Sequence, residues 1–176
     1  RDVAVTGVQT CALPIFSLDL LDLAEKTAKA AGDLLINRPT RFELDEKSGV
    51  FDFATQMDLA SEALIIEKIS RARPNDGFLG EEGSTRESSS GLTWVIDPID
   101  GTVNYLYGLP GWCVSIAVRD EKEFIAGVVY SPATHSLCKA SKGGGAFLDD
   151  ERISCNEAVA LNRALIGDRK STRLNS

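Results

Sequence analysis

The chain is short of the residues on which most active sites are built. It carries one histidine, His135, and 4 cysteines in 176 residues, with no C-x-x-C pair. Cys11 falls in a terminal stretch set aside below. Cys113, Cys138 and Cys155 are odd in number and widely spaced, which argues against a disulfide framework or zinc site and for reduced thiols in a cytoplasmic protein. No apolar run approaches the roughly 18 residues of a membrane span. Basic residues are scarce: 19 Lys and Arg stand against 26 Asp and Glu, a net charge of −7. A basic face for nucleic acid is therefore not expected. His135 has no G-x-S-x-G to serve, so it reads as a surface residue rather than part of a Ser-His-Asp triad. Lys142-Gly-Gly-Gly lacks the G-K-[ST] order of a phosphate loop and reads as a hairpin turn. Cys113 and Arg119 have C-x5-R spacing, but the interval V-S-I-A-V is apolar and β-branched, as a strand requires. A phosphate loop would instead need backbone N–H groups converging on the anion.

The two ends are expected to be foreign. One permitted coding of Asp168–Ser176 is GAT CGG AAG AGC ACA CGT CTG AAC TCC, and its reverse complement translates as G-V-Q-T-C-A-L-P-I, which is Gly7–Ile15. Opposite strands of one DNA segment at both ends read as sequencing adapter. Residues 1–15 and 168–176 are accordingly set aside, leaving 16–167 as native chain. That remainder has 15 basic and 24 acidic residues, a net charge of −9. A composition 43% apolar and 26% charged is that of an ordinary soluble globular protein of about one domain.

Taken in order, Ser17–Asn37 has helical spacing at Leu20, Leu21, Leu23, Ala24, Ala28, Ala31, Leu34 and Leu35, with Ser17 or Asp19 as cap and Pro39 as stop. Phe42–Lys47 fits a short strand, followed by a loop at Lys47–Gly49. Asp52–Met57 is ambiguous. Asp58–Arg71 reads as an amphipathic helix with Leu59, Ala63, Ile66 and Ile69 along one side. Phe78–Leu79 begins a strand leading into Gly80-Glu81-Glu82-Gly83, and Ser84–Gly91 reads as an exposed loop. Strands are expected at Trp112–Arg119, Phe124–Tyr130, His135–Ala140 and Ala146–Leu148. Two helices followed by several strands on short turns make an α+β layer.

Trp94–Tyr105, W-V-I-D-P-I-D-G-T-V-N-Y, is where chemistry concentrates. An apolar strand start delivers Asp97 and Asp100, and Pro98 between them is expected to end the strand in a turn. Gly101 and Thr102 then open a short helix. An isolated D-x-x-D is weak evidence, because Asp-Pro turns are common and structural. With Glu81–Glu82 at the end of a neighbouring strand, the set becomes more specific. Glu81 and Glu82 point oppositely in extended backbone, so one of them faces the cation. Carboxylates suit a hard divalent cation, and N–H groups at a helix start suit phosphate.

At these residues the sequence resembles the inositol monophosphatase family. D-P-I-D-G-T-V-N-Y matches that family's first signature, Gly80–Gly83 its upstream metal-ligand segment, and Lys47–Glu62 the region between its first helices. The resemblance spans nearly all of residues 16–167 and is greatest to bacterial inositol-1-monophosphatases. It implies an N-terminal helix and antiparallel-sheet part of a layered αβαβα sugar-phosphatase fold, with the C-terminal α/β half missing. It implies two to three Mg2+ ions held by Glu81, Asp97, the Ile99 carbonyl and Asp100. Thr102 and Asp58 would orient and deprotonate the attacking water, Gly101 and Thr102 N–H groups would hold phosphate, and Lys47 would lie in a closing loop. It further implies sensitivity to lithium, a small phosphorylated substrate, no phosphoenzyme and a homodimer. Inositol 1-phosphate leads as substrate, with histidinol phosphate next and other sugar or nucleotide phosphates behind it. A metal-binding homologue that acts through protein contacts is the alternative of a different class. The family's second signature, W-D-x-A-x-G, does not occur, so the chain alone is expected to be inactive.

Overall fold

The computed structural model of the chain describes residues 12–37 and 50–163. The strand and loop expected between Phe42 and Gly49, Lys47 included, lie outside the described residues. Two long helices come first, α1 (Ala12–Ile36) and α2 (Val50–Ala72). Strands β1 (Gly77–Gly80), β2 (Thr85–Arg86) and β3 (Thr93–Asp100) follow, then the short helix α3 (Thr102–Leu106). A meander completes the sheet: β4 (Cys113–Arg119), β5 (Phe124–Ser131), β6 (Ser136–Ser141), β7 (Gly145–Leu148) and β8 (Glu151–Ile153). The eight strands lie in the order β2-β1-β3-β4-β5-β6-β7-β8. Among the described strands only β1 and β3 pair in parallel, so their C-terminal ends lie at the same end of the sheet. The class is α+β, as expected, with a mixed rather than purely antiparallel sheet.

Both long helices cover one face. Along α1, Leu20, Leu21, Ala24, Ala28, Ala31 and Leu35 are buried, a stripe at helical spacing that meets Val114, Ile116, Val118, Ala126 and Val128 of the meander. The alanines keep the helix close to the sheet. At Gly32 the approach is closest: a Cβ there would lie 2.6 Å from Tyr130 Cε1. The expected capping role of Ser17 is corrected. The helix begins at Ala12, and Ser17 is a buried interior residue whose hydroxyl donates to the Lys142 carbonyl at 3.3 Å.

The expected face of α2 is corrected as well. The helix starts at Val50, and its buried side comprises Asp58, Ser61, Glu62, Ile65 and Ile69, while Leu59 is 49% exposed. Of the expected stripe, Ile69 is buried and Ile66 packs against the core while Leu59 and Ala63 are exposed; periodicity missed Asp58, Ser61 and Glu62 because they are polar. Two short strands, β2 and β8, escaped the sequence reading because every residue in them is exposed and no apolar alternation marks them.

Asp76 ties the helix layer to the sheet edge. It is 1% exposed and accepts hydrogen bonds from Arg73 Nε at 2.5 Å, Ser90 Oγ at 2.6 Å and the Trp94 indole N–H at 2.9 Å. Burial pulls its pKa upward, but the bonds from Arg73, Ser90 and Trp94 outweigh this and hold the carboxyl below its ordinary value.

Candidate active site

The parallel pairing of β1 and β3 brings Glu81 and Asp97 side by side. Gly80 pairs with Ile96, and the Glu81 N–H donates to the Ile96 carbonyl at 3.1 Å. β3 does not end at Pro98 as its sequence suggests. Asp97 faces Ser115 and Asp100 faces Cys113, so three steps on β3 oppose two on β4. This is a bulge, the position within a sheet that tolerates a residue without an N–H. It buries Ile99 and leaves Asp100 exposed at the strand end.

Gly101 then turns the chain with φ 90° and ψ 38°, a left-handed conformation that side chains resist. A Cβ would also run into the Gly111 carbonyl oxygen, 2.6 Å away. Helix α3 starts at once, and the Thr102 hydroxyl donates to the Ile99 carbonyl at 3.0 Å. Two anchors fix this corner. The Tyr105 hydroxyl donates to the Leu35 carbonyl at 3.0 Å, and Asn104 Nδ2 donates to the Gly111 carbonyl at 2.6 Å. Asp100 borders a hollow of about 400 Å³ shared with Asn104, Trp112, Cys113 and Ser131. The Cys113 thiol donates to Asp100 Oδ2 across 3.7 Å.

Helix α2 presents two further carboxylates from below. Asp58 and Glu62 sit one turn apart on its buried face, 4% and 1% exposed. Glu62 Oε2 accepts the Glu82 N–H at 3.1 Å and Oε1 accepts the Ser84 N–H at 3.2 Å. A Cβ at residue 80 would run into the same carboxylate, and the residue is glycine.

The electrostatic result is a concentration of negative charge. Burial, followed by the charges of Glu82, Asp97, Glu81 and Glu62, pushes the Asp58 carboxyl from 3.8 to about 7. Burial, then a hydrogen bond and repulsion from Glu81 and the charge of Asp100, raises Asp97 to about 7 against a stabilising hydrogen bond from the Ile99 backbone. Glu82 is raised by burial and by Glu62 and Glu81. Asp97 Oδ1 is buried without a hydrogen-bond partner. A buried carboxylate oxygen left without a donor is costly. An oxygen-seeking cation is the chemistry that such a donor set suits.

The structure thus groups Asp58, Glu81, Asp97 and Asp100 in one acidic neighbourhood, with Ile99, Gly101 and Thr102 adjoining. Among the described residues, no three acidic, cysteine or histidine side chains already stand in a ligating arrangement. Lys47 lies outside the described residues. Glu62 was not singled out from the sequence. Its signal was available: a carboxylate at i+4 from Asp58 belongs to the same helical face. Glu82 proves to be the half-buried member of its pair, with Glu81 exposed.

The sequence pattern of the inositol monophosphatase family matches residues 18–175. An inositol-1-monophosphatase from Rhizobium meliloti is 42% identical over 120 residues, covering 68% of this chain and 45% of that relative. A protein named Nus factor SuhB from Xylella fastidiosa is 36% identical over 159 residues, covering 89% of this chain and 57% of its own length. Among solved structures, the extragenic suppressor protein suhB from Bartonella henselae superimposes with a TM-score of 0.68 at 31% identity. The match covers 80% of this chain and 55% of that one. The chain spans about half the length of the curated relatives it matches.

Proposed function

The chain belongs to the inositol monophosphatase family, and from that premise we propose that it carries the cation- and phosphate-binding part of a Mg2+-dependent phosphomonoester hydrolase. The observation that carries this reading is the orphaned, buried Asp97 Oδ1 within a group of carboxylates whose burial and mutual repulsion raise two of them to about 7. Glu81, Asp97, Asp100 and the Ile99 carbonyl are the groups that would hold Mg2+, two to three ions in all. Bound there, the cations supply positive charge that polarises a phosphoryl group, acidifies water and stabilises a departing alkoxide.

The chain's own residues supply position and proton handling. Thr102 is held beside the Ile99 carbonyl by its hydroxyl, so it orients the attacking water at the ligand set rather than away from it. Asp58, buried below, accepts the proton. Its carboxyl is the one whose environment brings it nearest to neutrality among the groups without an assigned cation. The backbone N–H groups of Gly101 and Thr102, fixed by the left-handed turn, bind phosphate oxygens. In this reading water attacks phosphorus directly, without a phosphoenzyme.

We take inositol 1-phosphate as the substrate, with histidinol phosphate as the runner-up. The supporting fact is the similarity to the Rhizobium relative, which is named for that activity. The relative named as a Nus factor favours a second reading, a metal-binding homologue that acts through protein contacts. The ends, 1–15 and 168–176, are proposed to be adapter-derived, and the protein is placed in the cytoplasm. No W-D-x-A-x-G stands in the 176 residues, so this chain alone is expected to bind cation without turnover.

The test is magnesium-dependent phosphate release from both substrates, with the coding frame extended past Gly167 to the length of the relatives. Release that disappears in the Asp97→Asn variant supports the phosphatase reading. Cation binding with no release from any phosphomonoester favours the second.

A further inference from the structure

We infer that Glu62 is a positioning residue: its carboxylate fixes the turn after β1 that carries Glu81 alongside Asp97 of β3. This rests on the proposed cation site, but its geometry stands independently. Glu62 is 1% exposed and lies on helix α2, in a different layer from the turn. Its two oxygens nevertheless divide two amides of that turn between them, Oε2 taking Glu82 and Oε1 taking Ser84. The turn is closed by the Gly80 N–H donating to Ser84 O at 2.8 Å, and its other flank is tied to β3 through Glu81 N–H and Ile96 O. Glu81 therefore sits between a strand on one side and the Glu62 clamp on the other. Its backbone is thereby held next to the β3 residue Asp97, in register with Gly80 and Ile96.

A side chain with two acceptor oxygens and no donor is what two converging N–H groups require. Glutamine would offer one oxygen and turn an NH2 group against the second amide. Burying a carboxylate beside Asp58 and Glu82 is unfavourable for folding. The β1 strand accommodates the clamp because residue 80 is glycine; a Cβ there would overlap both carboxylate oxygens.

The experiment compares the full 176-residue chain with Glu62→Gln and, should that variant fail to fold, with Glu62→Asp, which keeps the charge but withdraws it by one methylene. The first readout is amide hydrogen exchange without added metal. The clamp predicts that exchange at Glu82 and Ser84 accelerates roughly five- to tenfold, the loss of about one hydrogen bond each, while amides of β4 and β5 do not change. The second is Mn2+ titration followed by electron paramagnetic resonance, where affinity should fall about tenfold, as for other residues that orient ligands. Unchanged exchange at those two amides, or equal acceleration across the sheet, overturns the inference. If exchange changes as predicted and the unsubstituted chain binds no Mn2+, the clamp stands and the cation site proposed above fails.

Discussion

Replacing Asp58 by asparagine should stabilise the cation-free fold, although it removes a residue assigned to the reaction. The side chain is 4% exposed, and its carboxyl is held at about 7 against an ordinary 3.8. A change of that size corresponds to roughly 4 kcal/mol of discrimination against the charged form. Local relaxation and partial solvation of the acidic group around it reduce this, and about 2 kcal/mol is the working figure at the effective polarity of protein sites. The sign follows from linkage. The folded state binds this proton more tightly than the unfolded chain, so ionisation costs stability progressively above the unfolded value and fully above about 7. The neutral amide of the variant carries no such cost. In urea titrations with EDTA at about pH 8, Asp58→Asn should gain about 2 kcal/mol, or roughly 4 to 8 °C in Tm for a domain of this size. The gain should shrink on acidification and vanish near about pH 3.5. It should also shrink on adding Mg2+, which offsets the repulsion in the unsubstituted chain. A variant less stable than the parent at about pH 8 in EDTA, or a gain that does not change with pH, would refute the reasoning.

Two further changes probe the scaffold. Asp76→Ala strips the buried Trp94 indole N–H and the Arg73 guanidinium of their acceptor; a loss of about 3 kcal/mol in urea unfolding at about pH 7 is expected, tempered by the partial exposure of Arg73. Because the Asp76 carboxyl titrates below its ordinary 3.8, its contribution is present above that pH and lost as pH falls through the lower folded value, so parent and variant should converge in strong acid. Gly32→Ala sets a Cβ 2.6 Å from Tyr130 Cε1 and 2.8 Å from Pro132 Cγ. Overpacking of about 1–3 kcal/mol should exceed the helical gain of about 1 kcal/mol, giving a net loss that differential scanning calorimetry can read.

The legible parts of the fold were those in which side-chain chemistry and burial agree. The α1 stripe from Leu20 to Leu35 and the β3 start at Trp94 are apolar residues in buried places, and periodicity finds them. The α2 face is the opposite case. Asp58, Ser61 and Glu62 are polar yet buried, so a rule that equates burial with apolarity selected Leu59 and Ala63 instead. Pro98 was read as a stop because a ladder position cannot lack an N–H; the bulge between Asp97 and Asp100 removes that requirement. Of the site, Asp97, Asp100 and Glu81 were found through motif and strand ends. Glu62 was not, although it stands one turn after Asp58; what no local pattern encodes is its bonding to two backbone amides 20 and 22 residues away.

The central claim is that the acidic group around Asp97 is a divalent-cation site. Isothermal titration of Mn2+ into the metal-free chain, in parallel with Asp97→Asn, tests it most directly. The account predicts saturable binding by the parent chain and an affinity weaker by about tenfold or more in the variant, in line with the loss of a metal ligand. Equal heats from the two proteins, or no saturable binding by either folded chain, would contradict it.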